Sequence, residues 1–222
     1  MEQPQLTGII FDFSSVFTRI NRRVRILREC EAELRLPRNE LTNLLFAGEV
    51  WWAVSTGKIT AKEYWQQVIQ ALGDQPLPAA LEPFQHNPFA YEELNQRMIA
   101  VARRLRKSYR TALLSNATLY LDTLLADHNL TDIFDVIVNS ARVGLRKPDP
   151  QIYRLTLDRI GLAPAQCLFV DDKERNTLVA QALGMEAIVF RSAADLMRRL
   201  RADGVSGSSK SGAPLRDPMK TY

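Results

Sequence analysis

Nothing in this sequence is long and apolar enough to make a membrane helix. Its longest apolar stretches run only a few residues, such as Cys167-Leu168-Phe169-Val170, against the roughly 20 that a spanning helix needs. Cysteine is scarce. Cys30 and Cys167 are the only two, too few for a disulfide framework or a cysteine-rich zinc site. Histidine is equally sparse, with His86 and His128 outside any HExxH spacing. That argues against histidine-based zinc hydrolysis and against a Ser-His-Asp triad. One-sided charge is also missing: 29 Lys+Arg against 25 Asp+Glu leave +4, which supports no nucleic-acid partner by itself. The start, Met-Glu-Gln-Pro, lacks the basic and apolar regions of a signal peptide. The expectation is a cytoplasmic protein that binds neither nucleic acid nor membrane. Its chemistry must rest on carboxylates, hydroxyls, lysines and backbone.

What is present fits one large globular unit or one carrying an insertion. The chain has 222 residues, 46% of them hydrophobic, enough for a packed core. Short runs at Ile9–Phe11, Ala112–Leu114, Val136–Val138, Leu168–Val170 and Ala187–Phe190 read as strands covered on both faces. Helical spacing fills the intervals. It carries Leu119, Leu121, Leu124 and Leu125, then Ile152, Leu155, Leu157 and Ile160, then Leu178, Val179, Ala182 and Leu183 before Gly184. A basic helix from about Phe89 to Lys107 puts Leu94, Met98, Val101 and Leu105 on one face. The pattern predicts an α/β fold, a doubly wound Rossmann-like parallel sheet.

The first strand stands about 100 positions from the second, where a βαβ unit takes roughly 30. An insertion the size of a small domain follows strand one, and it reads as helical. Leu27, Cys30 and Leu34 recur at helical spacing, as do Leu41, Leu44 and Leu45. Thr60 is an N-cap with Glu63 three residues on, followed by Tyr64, Val68 and Leu72. Core segments at 6–17 and 90–202, an insertion at 18–89 and a flexible tail at 203–222 are the expected organisation.

In open α/β sheets, ligands bind beyond the carboxyl ends of the strands. Asp12 follows the first strand, Ser115 and Asn116 the second, and Asp171 and Asp172 the fourth. Lys147 lies in the long connection after the third. Three carboxylates, an ammonium, a hydroxyl and an amide suit a divalent cation beside a phosphate. Taken singly, each has a plainer explanation: a loop aspartate, helix N-terminal carboxylates, an exposed lysine, a turn. Their joint placement after successive strands is what points to a site.

Four motifs in order carry a family resemblance: Ile-Ile-Phe-Asp at 9–12, Leu-Leu-Ser-Asn at 113–116, Lys147 within Gly-Leu-Arg-Lys-Pro-Asp-Pro, and Phe-Val-Asp-Asp at 169–172. The chain resembles the haloacid dehalogenase (HAD)-like hydrolases over about residues 6 to 200. The resemblance implies an α-helical cap inserted after strand one. It also implies a Mg²⁺-dependent phosphatase of a small phosphorylated metabolite, sugar phosphates among the candidates, acting as monomer or homodimer. By the same resemblance Asp12 is the nucleophile that becomes an aspartyl-phosphate. Mg²⁺ is held by Asp12, the Ser14 carbonyl, Asp171 and Asp172. Lys147 offsets charge, and Ser115, Asn116 and Lys147 bind phosphate.

Two positions depart from the phosphatase pattern. Ser14 stands where the leaving-group acid, an aspartate, is usual, and a serine hydroxyl supplies no proton near pH 7 as a carboxylic acid does. Ser15 stands where glycine is common. A hydrolytic dehalogenase attacking carbon without metal, and a catalytically weak binding or regulatory protein, are the alternatives this leaves. Arg19, Arg22, Arg23, Arg25 and Arg28 read either as a solvated helix face or as a guide for an anionic substrate. Trp51, Trp52, Tyr64 and Trp65 read as core of the insertion ahead of a stacking platform.

Overall fold

The computed structural model describes residues 5–73 and 76–202; the tail expected to be flexible lies outside them. The strands are β1 Gly8–Phe11, β2 Thr18–Arg19, β3 Glu93–Leu94, β4 Arg110–Ser115, β5 Val136–Asn139, β6 Cys167–Asp171 and β7 Glu186–Val189. The helices are α1 Asn21–Glu33, α2 Glu40–Phe46, α3 Glu49–Ser55, α4 Ala61–Ala71, α5 Glu82–His86, α6 Gln96–Leu105, α7 Tyr120–Asp127, α8 Ser140–Val143, α9 Pro150–Ile160, α10 Glu174–Ala182 and α11 Ala193–Ala202.

Five strands form one parallel sheet in the order β5-β4-β1-β6-β7. This is the Rossmann-like α/β fold that the short apolar runs predict. Side chains alternate across a strand, and here the alternation sorts two cores. Ile9, Phe11, Leu113, Leu168 and Val170 face one side, with Met98 and Leu121. Ile10, Ala112, Leu114, Phe169 and Val138 face the other, with Ile152 and Tyr153. Helices cover both faces, which explains why the central parts of β1, β4 and β6 are apolar without alternation.

The chain between β2 and β3 is helical and has an apolar cluster of its own, including Leu27, Cys30, Leu41, Leu45, Tyr64, Trp65 and Val68. Local chemistry sets its helix starts. Thr60 and Glu63 form a reciprocal capping box at α4. Buried Glu31 accepts hydrogen bonds from the N–H groups of Asn39 and Leu41, both at 3.1 Å, and so serves the start of α2. The insertion leaves and rejoins the sheet domain through a two-strand neck, Thr18 opposite Leu94 and Arg19 opposite Glu93.

That neck corrects one expectation. The helix predicted from Phe89 begins at Gln96, because Glu93–Leu94 pairs as a strand and the Asn95 side chain caps α6 by accepting from Met98 N–H. Leu94 therefore lies outside the helix. A second correction concerns α10, where Leu178 is 57% exposed and Asn176 and Thr177 take the buried face instead. Likewise Leu119 precedes α7 and is 56% exposed.

Candidate active site

Connections from β1 and β6 run to opposite sides of the sheet although the strands are neighbours. The crevice at their carboxyl ends is where such sheets bind ligands. Asp12 is the first residue past β1, held by its N–H to the Val170 carbonyl at 2.9 Å. Asp171 ends β6 and Asp172 follows it. Carboxylate oxygens of Asp12, Asp171 and Asp172 lie within 4.8 Å of one another.

Lys147 is the cation in this cluster. It is 2% exposed, so the reading of it as an exposed lysine is excluded. Its Nζ lies 2.8 Å from Asp12 Oδ1 and 2.7 Å from Asp171 Oδ2. The loop that delivers it is fixed at both ends. The Asn116 side chain accepts from Lys147 N–H and donates to the Lys147 carbonyl, each at 2.8 Å. Just downstream, Asp149 caps α9 by accepting from Gln151 N–H, with Pro150 in the first turn.

The electrostatics follow from crowding charge in a dry crevice. Burial pushes the Asp12 carboxyl up to about 7, against the pull of Lys147 and with the help of Asp171 and Asp172. Burial acts on Asp171 in the same sense, but Lys147, the Lys173 N–H and Asn176 outweigh it and hold Asp171 below the usual carboxylate value. Asp172 is raised, chiefly by burial. Its Oδ1 is buried without a hydrogen-bond partner, an expensive arrangement for a carboxylate unless something else meets it. Three hard oxygen donors with one lone pair unmet fit a divalent cation of the Mg²⁺ type.

The remaining expected residues lie close by. Ser115 is buried at the end of β4, and Asn116 and Ser14 line the cleft over the crevice. Ser15 adopts φ +66, the conformation that favours glycine, and its N–H donates to Thr18 Oγ1 at 3.1 Å. Sequence reading missed four lining residues. Arg146, Lys173 and Arg175 bring positive charge to the cleft, and each lies within three positions of a residue already singled out. Glu92 is the fourth, a buried carboxylate that accepts from Ser14 Oγ at 3.4 Å, from Thr18 Oγ1 and from Arg23. It is 78 positions from Ser14, and no local pattern announces it.

Of the early arginine cluster, Arg23 alone lines this cleft, and it is paired with Glu92. Arg25 pairs with Glu29 on the surface and Arg22 sits over Tyr91. Tyr64 and Trp65 are buried in the insertion, whereas Trp52 is exposed.

The fold and the crevice together define an α/β protein with a carboxylate–lysine centre at its switch point. A family model for haloacid dehalogenase-like hydrolases matches residues 6–184, and the chain belongs to that family. It is 29% identical over 212 residues to bifunctional epoxide hydrolase 2 of Rattus norvegicus, covering 87% of this chain and 38% of the rat protein. The chain thus spans about two fifths of that relative's length. A D-ribitol-5-phosphate phosphatase from Bacteroides thetaiotaomicron is 25% identical over 208 residues, covering 88% of this chain and 97% of the relative. Among solved structures, a HAD family enzyme from Bacteroides thetaiotaomicron in complex with magnesium and inorganic phosphate superposes with a TM-score of 0.67 at 18% identity, covering 84% of this chain and 94% of that one. That likeness is one of fold. Among the described residues, no helix is long and apolar enough to cross a membrane.

Proposed function

We propose that this chain is a Mg²⁺-dependent phosphatase of a small organic phosphate, working through an aspartyl-phosphate on Asp12 beneath a helical cap formed by the insertion. The observation that carries the reading is the buried chain Asp12–Lys147–Asp171 beside the unpartnered Asp172 oxygen. A dehalogenase attacking carbon needs no divalent cation, so three clustered carboxylates with an unmet oxygen favour the phosphatase. The ribitol-phosphate phosphatase and the magnesium–phosphate complex among the relatives lean the same way.

Asp12, Asp171, Asp172 and the Ser14 carbonyl would hold Mg²⁺, which when bound supplies positive charge against the phosphoryl oxygens. The chain's own residues then account for the rest. Lys147 holds Asp12 Oδ1 in place by donating to it. An Asp12 oxygen attacks phosphorus, forming a P–O bond as the bond to the leaving oxygen breaks. Water then attacks the same phosphorus and releases phosphate and the free carboxylate. Ser115, the Asn116 amide and Lys147 would bind phosphoryl oxygens, and Arg146, Lys173 and Arg175 favour the anion's entry. Positioning and charge compensation are what phosphoryl transfer chiefly requires.

The test is Asp12→Asn assayed on aryl phosphates with and without Mg²⁺. Asparagine keeps the size and removes the nucleophile, so turnover falls by about 10³-fold or more. Undiminished turnover in a folded variant removes Asp12 from the mechanism, and metal-independent halide release would replace phosphate with a haloacid.

A further inference from the structure

A cavity of about 320 Å³ opens between the insertion and the sheet domain. Phe46, Trp51 and Pro88 line both this cavity and the charged cleft at Ser14 and Asn116, so the two spaces adjoin and form two unlike ends of one region. The cleft end carries Arg146, Lys173 and Arg175. The far end is walled by Leu45, Tyr64, Trp65 and Leu119 among others.

Several polar groups around the far end are already engaged. The Tyr64 hydroxyl donates to the Leu45 carbonyl at 2.8 Å. Thr60 and Glu63 are locked in their capping box. The Lys58 ammonium lies 4.8 Å from the Trp52 ring centroid. Gln85, His86 and Tyr120 also line the cavity, but most of its wall is apolar, so a polyol would meet few partners, and each unmet hydroxyl weakens binding. Leu119, more than half exposed on the sheet-domain side, is instead a surface that an apolar guest would cover.

We propose that this cavity receives the apolar organic tail of the phosphorylated substrate, a hydrocarbon or aryl group of about ten heavy atoms at roughly 30 Å³ each. The inference rests on the phosphatase reading, which it narrows from phosphorylated metabolites to amphiphilic monophosphates and away from sugar phosphates. Preformed, mostly apolar clefts of a few hundred Å³ with a few fixed polar groups at one end are the usual form of such sites.

The experiment follows quenching of the tryptophan fluorescence, Trp51 and Trp65 being on the wall. The full chain with Mg²⁺ is titrated with n-alkylphosphonates of two to twelve carbons, and separately with n-alkanols of the same lengths. Phosphonates cannot turn over, so the reading is independent of leaving-group chemistry. Affinity is expected to tighten about three- to fourfold per methylene and to level off near ten carbons, the burial of one CH₂ being worth about that factor. Leu119→Asp places a charge in the wall at an exposed position where an acidic side chain suits the start of α7, and it should flatten the chain-length dependence. Length-dependent alkanol binding with no gain from the phosphonate group would uphold the apolar site and remove the phosphatase reading. Affinity independent of chain length in both series, or a xylitol phosphate analogue binding more tightly than pentylphosphonate, would overturn the proposal.

Discussion

The Asn116 side chain holds the Lys147 backbone by both of its hydrogen-bonding groups, accepting from the N–H and donating to the carbonyl at 2.8 Å each. One residue past β4 thereby fixes the position of an ammonium delivered by a loop 31 positions later. A carboxamide is the side chain that can do both at once. Asn116→Asp keeps an acceptor for the N–H but sets a second acceptor against the carbonyl. Turnover should fall by about 10- to 10²-fold, since small misplacements of a positioned group are costly. Stability should drop by about 1–3 kcal/mol, the range for a buried group left unpaired. Steady-state kinetics and thermal melts check this; wild-type kinetics in the variant would free Lys147 from its dependence on Asn116.

Metal binding should expel a proton. With its carboxyl raised from 3.8 to about 7 by burial, Asp12 binds a proton in the metal-free folded chain at pH values where the unfolded chain has lost it. The folded state then holds more protons between those limits, so this group's contribution to stability is present at low pH and lost as pH rises through about 7. Mg²⁺ requires the carboxylate form. Its affinity should therefore rise about tenfold per pH unit below 7 and level off above. Calorimetry at pH 6 in buffers of different ionisation enthalpy should report close to one proton released per ion, and at pH 8 far fewer. Equal release at both values would mean that Asp12 is already ionised without metal.

The strands and the motifs of the candidate site were legible because their signals are local. Ile9-Ile10-Phe11 and Cys167-Leu168-Phe169-Val170 are apolar at every position, as strands buried on both faces must be. Asp12, Ser115 and Asp171 come directly after such runs, with Asn116 and Asp172 one position on. The neck was not legible: two residues at Thr18–Arg19 pair with two at Glu93–Leu94, and pairs so short and so distant leave no periodicity. The misplaced helix start has the same root, since Leu94 keeps helical spacing from Met98 while belonging to a strand. Leu178 failed for a functional reason. Asn176 turns inward to donate to both Asp171 oxygens, at 2.9 and 3.0 Å, and that turns Leu178 outward.

Gly57 sets how closely the insertion approaches the sheet domain. A Cβ there would fall 2.4 Å from the Ala141 carbonyl oxygen, and the residue's φ is +69. Beside it the Ser140 hydroxyl donates to the Ser55 carbonyl. Gly57→Ala meets both the strained backbone and a collision with main chain, which no side-chain rotation relieves. The expected loss exceeds about 1 kcal/mol, or about 2–4 °C in melting temperature for a chain of this size. KM should rise because the cleft lies between the two parts. Ala141→Gly should not rescue, the obstacle being the carbonyl. A melting temperature and KM equal to wild type would show that the contact is not made in solution.

Ser14 leaves the site without the carboxylic acid that usually protonates a leaving group. Substrates whose leaving group departs with little protonation, such as acyl or aryl phosphates, should therefore be favoured over simple alkyl phosphates. General acid assistance is worth about 10²–10⁴-fold, so the preference should be large. Ser14→Asp should restore much of it, but its new carboxyl would stand against Glu92, which lies 3.4 Å from the serine oxygen and is itself raised by burial. Two carboxylates so close cannot both ionise freely, and the shared proton keeps an acid available near neutral pH. Arg23 and Thr18 already bond Glu92, which favours its ionised form and leaves the proton to Asp at position 14. The gain should be far greater on alkyl than on aryl phosphates, read as a shallower slope of log turnover against leaving-group pKa. Adding Glu92→Gln removes the repulsion, lowers the acid's pKa and should move the alkaline limb of the rate profile downward in pH, since the acid works only while protonated. Equal slopes in wild type and Ser14→Asp would mean that water or another group already donates the proton, and Ser14 would then be no handicap.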